Sequence, residues 1–432
     1  MEIEAPAANS KASFLDAIAQ RAHDLYIRGA YQESLDLYLQ ITQSRPDLAL
    51  AWHGAAVCCV NLRRWQEALG YAQTALAHKH DDNNFALYDT LAHAYAALEQ
   101  WDKARHYGLL ALERRVRLFN GEPAIPSPQP GPMPPLPNAQ TRQRNLIAFS
   151  LFGGDSKYCE TAVLNVQEQP DVYPNWICRF YIDNSVPTSV INRLQKGGAQ
   201  IVPVQGAAAQ WPGPMWRFLA LGDPQAHRIL FRDADAVISR REATAVQQWL
   251  TSGKRFHIMR DWGSHTELML AGLWDVVAGS LPPLEALMQR FLSAPLESRH
   301  FADQYFLRQY VWPYARASLM QHDSVFGFMD AVPFPDAKKH DDFHIGYAEG
   351  SSTFTLTTPL PNGTAVNWAL FRTAKRNDEQ IQITLVCAYP GVVKKGVVTA
   401  HIPVRYARWI QQGAAIVRLL EGDLARSVSM TL

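Results

Sequence analysis

Residues 14–118 carry apolar and small positions at the three-to-four-residue spacing of packed helices, broken by short polar turns. Beyond residue 144 the period changes. Short apolar runs, "NLIAFSLFG" (145–153), "WICRFYID" (176–183), "AQIVPV" (199–204) and "HRILFRDADAVI" (227–238), alternate with the helical patterns "ETAVLNVQEQ", "SVINRLQKGG" and "GPMWRFLALGD". Strand–helix alternation of this kind predicts an α/β domain with a mostly parallel sheet over 144–350. From 351 to 432 the runs "STFTLTTPL", "TAVNWALFRTA", "IQITLVCAYPG" and "GVVTAHIPVRYARW" alternate as strands do, and "IQQGAAIVRLLEGD" reads as helix or strand. That end is expected to be a small β-rich appendage, a carbohydrate- or partner-binding module in its functional reading.

The helical region repeats itself. "GAYQESLDLYLQITQSRP", "RRWQEALGYAQTALAHK" and "EQWDKARHYGLLALERR" align without gaps: an aromatic residue (Tyr31, Trp65, Trp101) stands three before a small one (Ser34, Ala68, Ala104). An apolar position (Ile41, Ala75, Ala111) follows seven later, and the small residues step by 34 and then 36. Trp52 and Tyr88 lie sixteen before Ala68 and Ala104. The pattern resembles the tetratricopeptide repeat (TPR), a helix–turn–helix unit of about 34 residues whose concave face binds peptides or partners. Arg21 stands where the first unit wants an apolar side chain, which marks an atypical capping repeat. A plain antiparallel helical bundle is the rival reading.

Between the two regions, residues 119–143 hold a proline-rich stretch, with eight prolines among residues 123–137. Such a composition favours extended polyproline II, and it reads as a semi-rigid spacer and domain boundary rather than an SH3-type ligand. At 432 residues, 47% apolar and 19% charged, the chain is globular and multidomain. A formal charge of +1 gives no electrostatic case for nucleic acid or an anionic membrane. Five cysteines without metal-site spacing read as reduced thiols. Together with an acidic start that lacks an apolar signal segment and the absence of a run long enough to span a bilayer, they predict a cytoplasmic protein.

The chemistry concentrates in "RILFRDADAVISRRE". Two carboxylates, Asp233 and Asp235, follow an apolar strand directly, and Ser239 and Glu242 form an S-x-x-E capping box that starts a helix. The pair therefore falls in a strand-to-helix turn, where open α/β sheets bind ligands. Such carboxylates repel each other unless a cation joins them, and Mg²⁺ or Mn²⁺ takes oxygen ligands while leaving positions for phosphate. The bland reading is a solvated turn satisfied by Arg232 or Arg240. Leaving the first and second strands, Ser150, Phe152 and Asp183 stand where a base and ribose would lie. Arg217 and Arg232 are candidates to neutralise phosphate charge. Asp261, after "FHIM", is a candidate general base.

Residues 145–350 resemble a glycosyltransferase of the GT-A fold. The segments that carry the likeness are "MWRFLALGDPQAHRILFRDADAVISRREATAVQQWL", "FHIMRDWGSHTELMLAGLWD", "ADQYFLRQYVWP" and "HDS" (322–324). Trp262-Gly263 and Trp274-Asp275 depart from the group's habits and bear on the acceptor. The resemblance implies a D-x-D motif holding Mn²⁺ or Mg²⁺ on a donor's diphosphate, with His322 as third metal ligand; His340 and His344 compete for that role. It also implies that Asp303 and Gln304 sit beside the reacting sugar, a segment that favours retention of configuration. Tryptophans 211, 216, 262 and 274 are candidates for a sugar-stacking platform. The function expected is metal-dependent transfer of a sugar from a nucleotide-diphosphate sugar to a glycan or protein acceptor, with a protein partner on the repeats. The alternative is a repeat-based adaptor whose α/β domain is silent. A nucleotidyltransferase also pairs aspartates with metal, but "FGGDSK" (152–157) is only a faint phosphate loop.

Overall fold

In the computed structural model, residues 7–78, 85–296, 298–335, 343–375, 381–420 and 427–431 are described. The chain forms two compact units. The first comprises residues 1–122 with two later segments, 259–270 and 321–334, and the second comprises the remainder.

Six helices make up the first unit: α1 Ala7–Ile27, α2 Tyr31–Ser44, α3 Ala49–Asn61, α4 Trp65–Ala77, α5 Phe85–Ala97 and α6 Trp101–Leu118. Each packs on the next. They pair as TPR-like hairpins, and the repeat is visible in the backbone itself. The turns inside the three pairs each place one residue at positive φ: Gly29 (77°), Arg63 (56°) and Glu99 (58°). The following amide donates to the same relative carbonyl each time, Ala30 to Leu25, Arg64 to Cys59 and Gln100 to Tyr95. Only the first of these turns has the glycine that makes such a conformation easy; at Arg63 and Glu99 the packing on either side imposes it. Ser34, Ala68 and Ala104 are fully buried where paired helices approach closely, as are Ala75 and Ala111. The Ser34 hydroxyl donates to the Ala22 carbonyl at 2.7 Å, so this small polar residue is satisfied inside the helix pair.

The aromatic residue opening each second helix needs a partner, and the partner changes along the array. Tyr31 meets Tyr26 and Trp65 meets His93, with centroids 5.5 and 5.3 Å apart. Trp101 has no fourth pair ahead of it and meets Trp262, 5.5 Å away, from segment 259–270. The two late segments close this end of the array. A side chain at Gly263 would stand 2.2 Å from Ala96 Cβ and 2.8 Å from the Ala92 carbonyl, and one at Gly108 would strike the Phe326 ring. Arg115 is buried against Asp89 (2.8 and 2.7 Å), Glu267 (3.2 Å) and the face of Phe85.

The second unit is built on a sheet of order β3-β2-β1-β4-β6-β5-β7. Its strands are β1 Asn145–Leu151, β2 Ile177–Ile182, β3 Gln200–Pro203, β4 Arg228–Phe231, β5 Phe256–Arg260, β6 Trp274–Val277 and β7 Leu319–Asp323, the last residues of β5 and β7 being counted with the first unit. Strands β3, β2, β1 and β4 are mutually parallel, whereas β6 runs antiparallel to β4 and β5. The parallel half follows the sequence expectation; β6 departs from it. Helices α7 Ser156–Val172, α8 Thr188–Lys196 and α9 Arg240–Thr251 follow β1, β2 and β4. The segment Gly213–Gly222, expected to be helical, is a 3-10 helix. After α10 Leu284–Leu292, α11 Ala302–Phe306 passes through a π-helical turn, Leu307–Val311, into α12 Trp312–Ala315.

The proline-rich stretch is fastened down within this unit instead of spanning free. Arg228, buried in β4, donates to the carbonyls of Pro135 and Pro134 at 2.6 and 2.9 Å, Arg255 donates to Gly131, and the Tyr314 hydroxyl donates to Ile125 at 2.7 Å. Prolines lack amides but keep carbonyls, and buried cations take them up.

Two three-stranded sheets complete the unit. β8 Ser352–Thr357 lies between β11 Val397–Ile402 and β13 Ser427–Thr431, and β9 Ala365–Lys375 lies between β10 Ile381–Val392 and β12 Ala415–Leu419. "VRYARWIQ", read as strand-like in the sequence, is helix α13 Val404–Gln411. These elements share one apolar core with β1, α7 and α8: Phe354, Trp368 and Tyr389 belong to the same cluster as Phe149, Cys159 and Leu194. Glu160 of α7, fully buried, is held there by Arg193 (2.6 and 2.8 Å) and the hydroxyls of Tyr389 and Tyr406 (2.5 and 3.2 Å).

Candidate functional site

Strand order reverses between β1 and β4, with β2 on one side and β4 on the other. A crevice at the C-terminal ends of the strands is expected at such a point. A cavity of about 280 Å³ lies there, lined by Ser150 and Phe152 after β1, Tyr158 of α7, Arg217, Asp233, Asp235, His300, Asp303 and Gln304.

The turn after β4 explains why both aspartates face it. Residues 233–238 leave the strand before α9 begins, Ala234 packs into the apolar core, and both carboxylates line the cavity. Ser239 caps α9 as the sequence predicts, accepting from the Glu242 amide at 3.3 Å. The reciprocal half of that capping box does not form, because the Glu242 carboxylate is taken by Arg232 Nε and the Tyr173 hydroxyl, both at 3.0 Å.

Each aspartate has a cation beside it. Arg217, 3% exposed, donates to Asp233 Oδ1 at 2.5 Å, to the Arg232 carbonyl at 2.8 Å and to Asp303 Oδ2 at 2.8 Å. Burial opposes its charge, and Asp233 with Asp303 outweighs burial, so its pKa is raised. Lys157, in the first turn of α7, stands 3.7 Å from Asp235 Oδ2 and 4.9 Å from the Tyr158 ring centroid. Burial and the neighbouring Asp233 charge raise the Asp235 pKa, while Lys157 and Arg217 pull it down. Asp303 is raised by burial first, against the pull of Arg217. Gly272 closes the far side: a side chain there would stand 2.0 Å from Asp233 Oδ2.

Other residues singled out in the sequence fall elsewhere or do other work. The Ser150 hydroxyl accepts from the Arg217 amide at 2.9 Å and donates to the Pro214 carbonyl at 3.1 Å, anchoring the 3-10 segment that carries Arg217. Phe152 meets Trp216 edge-on and is 41% exposed at the cavity rim. Asp183 accepts from the Ser185 hydroxyl, which in turn accepts from the Gly153 amide at 2.6 Å; it lines a separate hollow beyond β2.

Arg232 does not line the cavity. It is sealed between Glu242 and Asp275, with Nη1 2.7 Å from Asp275, whose other oxygen bonds His257 at 2.6 Å. Asp261 and His322 belong to the first unit. Asp261 accepts from the Ser324 hydroxyl at 2.5 Å and its amide donates to His265 at 2.9 Å. His322 is fully buried, its backbone bridged to Val332 and its ring 5.4 Å from that of Phe334. These two residues tie the segments that close the repeat array, and neither is among the residues lining the cavity. Of the competing histidines, His344 donates through Nδ1 to the Ile345 carbonyl at 2.9 Å, and His340 lies outside the described residues. Trp262 meets Trp101 at the repeat end, and Trp274 is buried with its ring stacked on Phe231.

Sequence reasoning missed Lys157, Tyr158, His300 and Gly272. The signal for the first was the position of "FGGDSK", between the first strand and its helix.

The donor set decides which metal is compatible. A hard cation bound together with phosphate needs only one or two protein carboxylates, and Asp233 with Asp235 supplies two at one cavity wall. Among the described residues no group of three or more His, Cys, Asp or Glu side chains comes together to enclose a metal. The residues therefore fit a cation that arrives with phosphate oxygens and do not form a closed protein cage. Among the described residues, no helix is long and apolar enough to cross a membrane.

No protein-family model matches the chain, and no curated protein does. Among solved structures, the TPR2B-domain–pHsp70 complex of yeast Sti1 matches with 17% identity and a TM-score of 0.23, over 25% of this chain and 84% of that one. The second TPR of Spaghetti bound to an HSP90 peptide matches with 15% identity and a TM-score of 0.23, over 25% and 98%. YrrB, a TPR protein, matches with 22% identity and a TM-score of 0.21, over 24% and 55%.

Proposed function

We propose that the second unit binds a nucleoside-diphosphate sugar with a divalent cation and transfers the sugar to a glycan or protein acceptor. The observation that carries this reading is the cavity at the strand-order reversal, where two adjacent carboxylates face a buried arginine and a lysine. In this reading Asp233 and Asp235 hold Mn²⁺ or Mg²⁺, which supplies charge for the departing diphosphate. Arg217 adds fixed positive charge beside it, preorganised by three acceptors so that no reorganisation is needed as negative charge develops. Asp303 positions Arg217, and its carboxylate is committed to that bond. Gln304 is the neighbour that faces the cavity, placed to orient a sugar hydroxyl. Calorimetric titration of a panel of nucleoside diphosphates, with and without Mn²⁺, tests the proposal. Binding only with Mn²⁺, with that Mn²⁺ dependence lost in Asp235→Ala while the fold is kept, supports it; a flat titration for every nucleotide removes it.

A second reading, in which the repeats dock a peptide and the α/β unit is silent, rests on the three helix pairs, since stacked hairpins of this kind present extended binding faces. Capture of a partner by residues 1–122 held in the intact chain, together with flat nucleotide titrations, favours it over the first.

A further inference from the structure

The two ion pairs at the cavity are unequal. Arg217 is fixed by three oxygen acceptors and is almost fully buried, so it cannot leave Asp233 without abandoning Asp303 as well. Lys157 makes one long pair, 3.7 Å, from a flexible stem whose side chain is 27% exposed. Its backbone is nonetheless held in place: the amide is capped by Asp155 at 2.8 Å, and its carbonyl packs where a Gly350 side chain would stand 2.3 Å away. A fixed root with an ammonium held by one long ion pair and the Tyr158 ring suits a group that changes partner.

Charge balance gives it a reason to do so. Asp233, Asp235 and Asp303 against Arg217 and Lys157 leave one net negative charge at the cavity. A divalent cation alone would turn that to one positive, and a doubly charged diphosphate alone would make it three negative. Both together restore the starting balance. We infer that Lys157 is an exchangeable counter-ion: it occupies Asp235 in the unloaded site, competes there with a divalent cation, and moves to the diphosphate when cation and donor load together. This deepens the transferase reading and rests on it.

The test separates the two. Mn²⁺ binding to the full chain without nucleotide is counted by electron paramagnetic resonance for wild type, Lys157→Met and Lys157→Arg. Nucleoside diphosphate affinity is then measured at fixed Mn²⁺ by calorimetry. In Lys157→Met, removal of the competitor should tighten Mn²⁺ alone by roughly 5-fold while diphosphate affinity with Mn²⁺ falls by roughly 10-fold, magnitudes in the usual range of site-to-site coupling. Lys157→Arg should restore the diphosphate affinity and return the weak binding of Mn²⁺ alone. Matching melting curves establish that the variants fold, and a variant that does not fold is replaced by Asp235→Asn, which should leave Lys157 unopposed and tighten diphosphate without Mn²⁺. Unchanged or weakened Mn²⁺ binding in Lys157→Met, with nucleotide binding intact in wild type, overturns the exchange and leaves the transferase reading standing. Absence of nucleotide binding in wild type overturns both.

Discussion

Two arginines joined by a hydrogen bond show what separates a structural charge cluster from an open one. Arg232, just past the end of β4, sits between two carboxylates, Glu242 and Asp275. Arg217 also sits between two carboxylates, Asp233 and Asp303, and it donates to the carbonyl of Arg232 itself. By residue type they are interchangeable. Around Arg232 both acids are nearly or fully buried, at 2% and 0% side-chain exposure; Tyr173 donates to the same Glu242 oxygen as Arg232, and His257 meets the other oxygen of Asp275. Around Arg217 one acid, Asp233, keeps 46% of its side chain exposed to a cavity. A closed cluster can only hold the fold together; an open one leaves lone pairs for a ligand.

The largest effect on stability should come from the closed cluster. Arg232→Met strands two acids in the core, which typically costs about 3–5 kcal/mol. Urea unfolding of the whole chain should show it, and adding Glu242→Gln with Asp275→Asn should recover most of the loss. A cost below about 1 kcal/mol would break the contrast. Arg217→Met should destabilise less, by about 1–3 kcal/mol, since Asp303 alone is left buried and unpaired while Asp233 can turn to water. Its larger effect should be on ligand: a loss of diphosphate affinity of roughly 100-fold, the scale of one removed charge-assisted contact in a dry site.

Gly272→Ala sharpens the comparison without touching a charge. The new methyl would displace Asp233 Oδ2 and meet its amide at 3.1 Å, so the carboxylate must move or the backbone must yield. Mn²⁺ and diphosphate binding should weaken by roughly 10-fold, with melting lowered only slightly; equal binding would show that the position of Asp233 is unimportant. The smallest effect belongs to a third arginine, on β4 itself. Arg228 is buried with carbonyl partners instead of carboxylates, and burial lowers its pKa to about 10. Arg228→Met should cost about 1–2 kcal/mol through the lost hydrogen bonds and expose residues 123–137 to proteolysis, while leaving the cavity's ligand affinity unchanged.

The helical array was largely legible because its determinants are local. Small residues recurring at steps of 34 and 36 could be read from the string, and each proves buried at a helix–helix approach. What closes the array was not legible. Trp262, Gly263 and Phe326 lie far beyond α5 and α6 in the chain, and nothing in their own neighbourhoods announces that they complete a helical face. The same remoteness hid the partner of Asp261, Ser324, which lies 63 residues further along the chain. The proline-rich stretch shows the complementary error: composition predicts its extended backbone, but the arginines that hold its carbonyls come from β4 and the turn before β5.

By itself, the sequence determined the helix pairs, the parallel half of the sheet, the capped start of α9 and the placement of two aspartates in the turn between β4 and that helix. These follow from periodicity, capping and turn chemistry, which act over a few residues at a time. Only the tertiary structure decided which arginine seals a core and which faces a cavity, that Lys157 stands beside Asp235, and that the C-terminal sheets share the core of α7. Burial and pairing are set by which distant surfaces meet, and a charge acquires its role only when the space around it has been filled or left open.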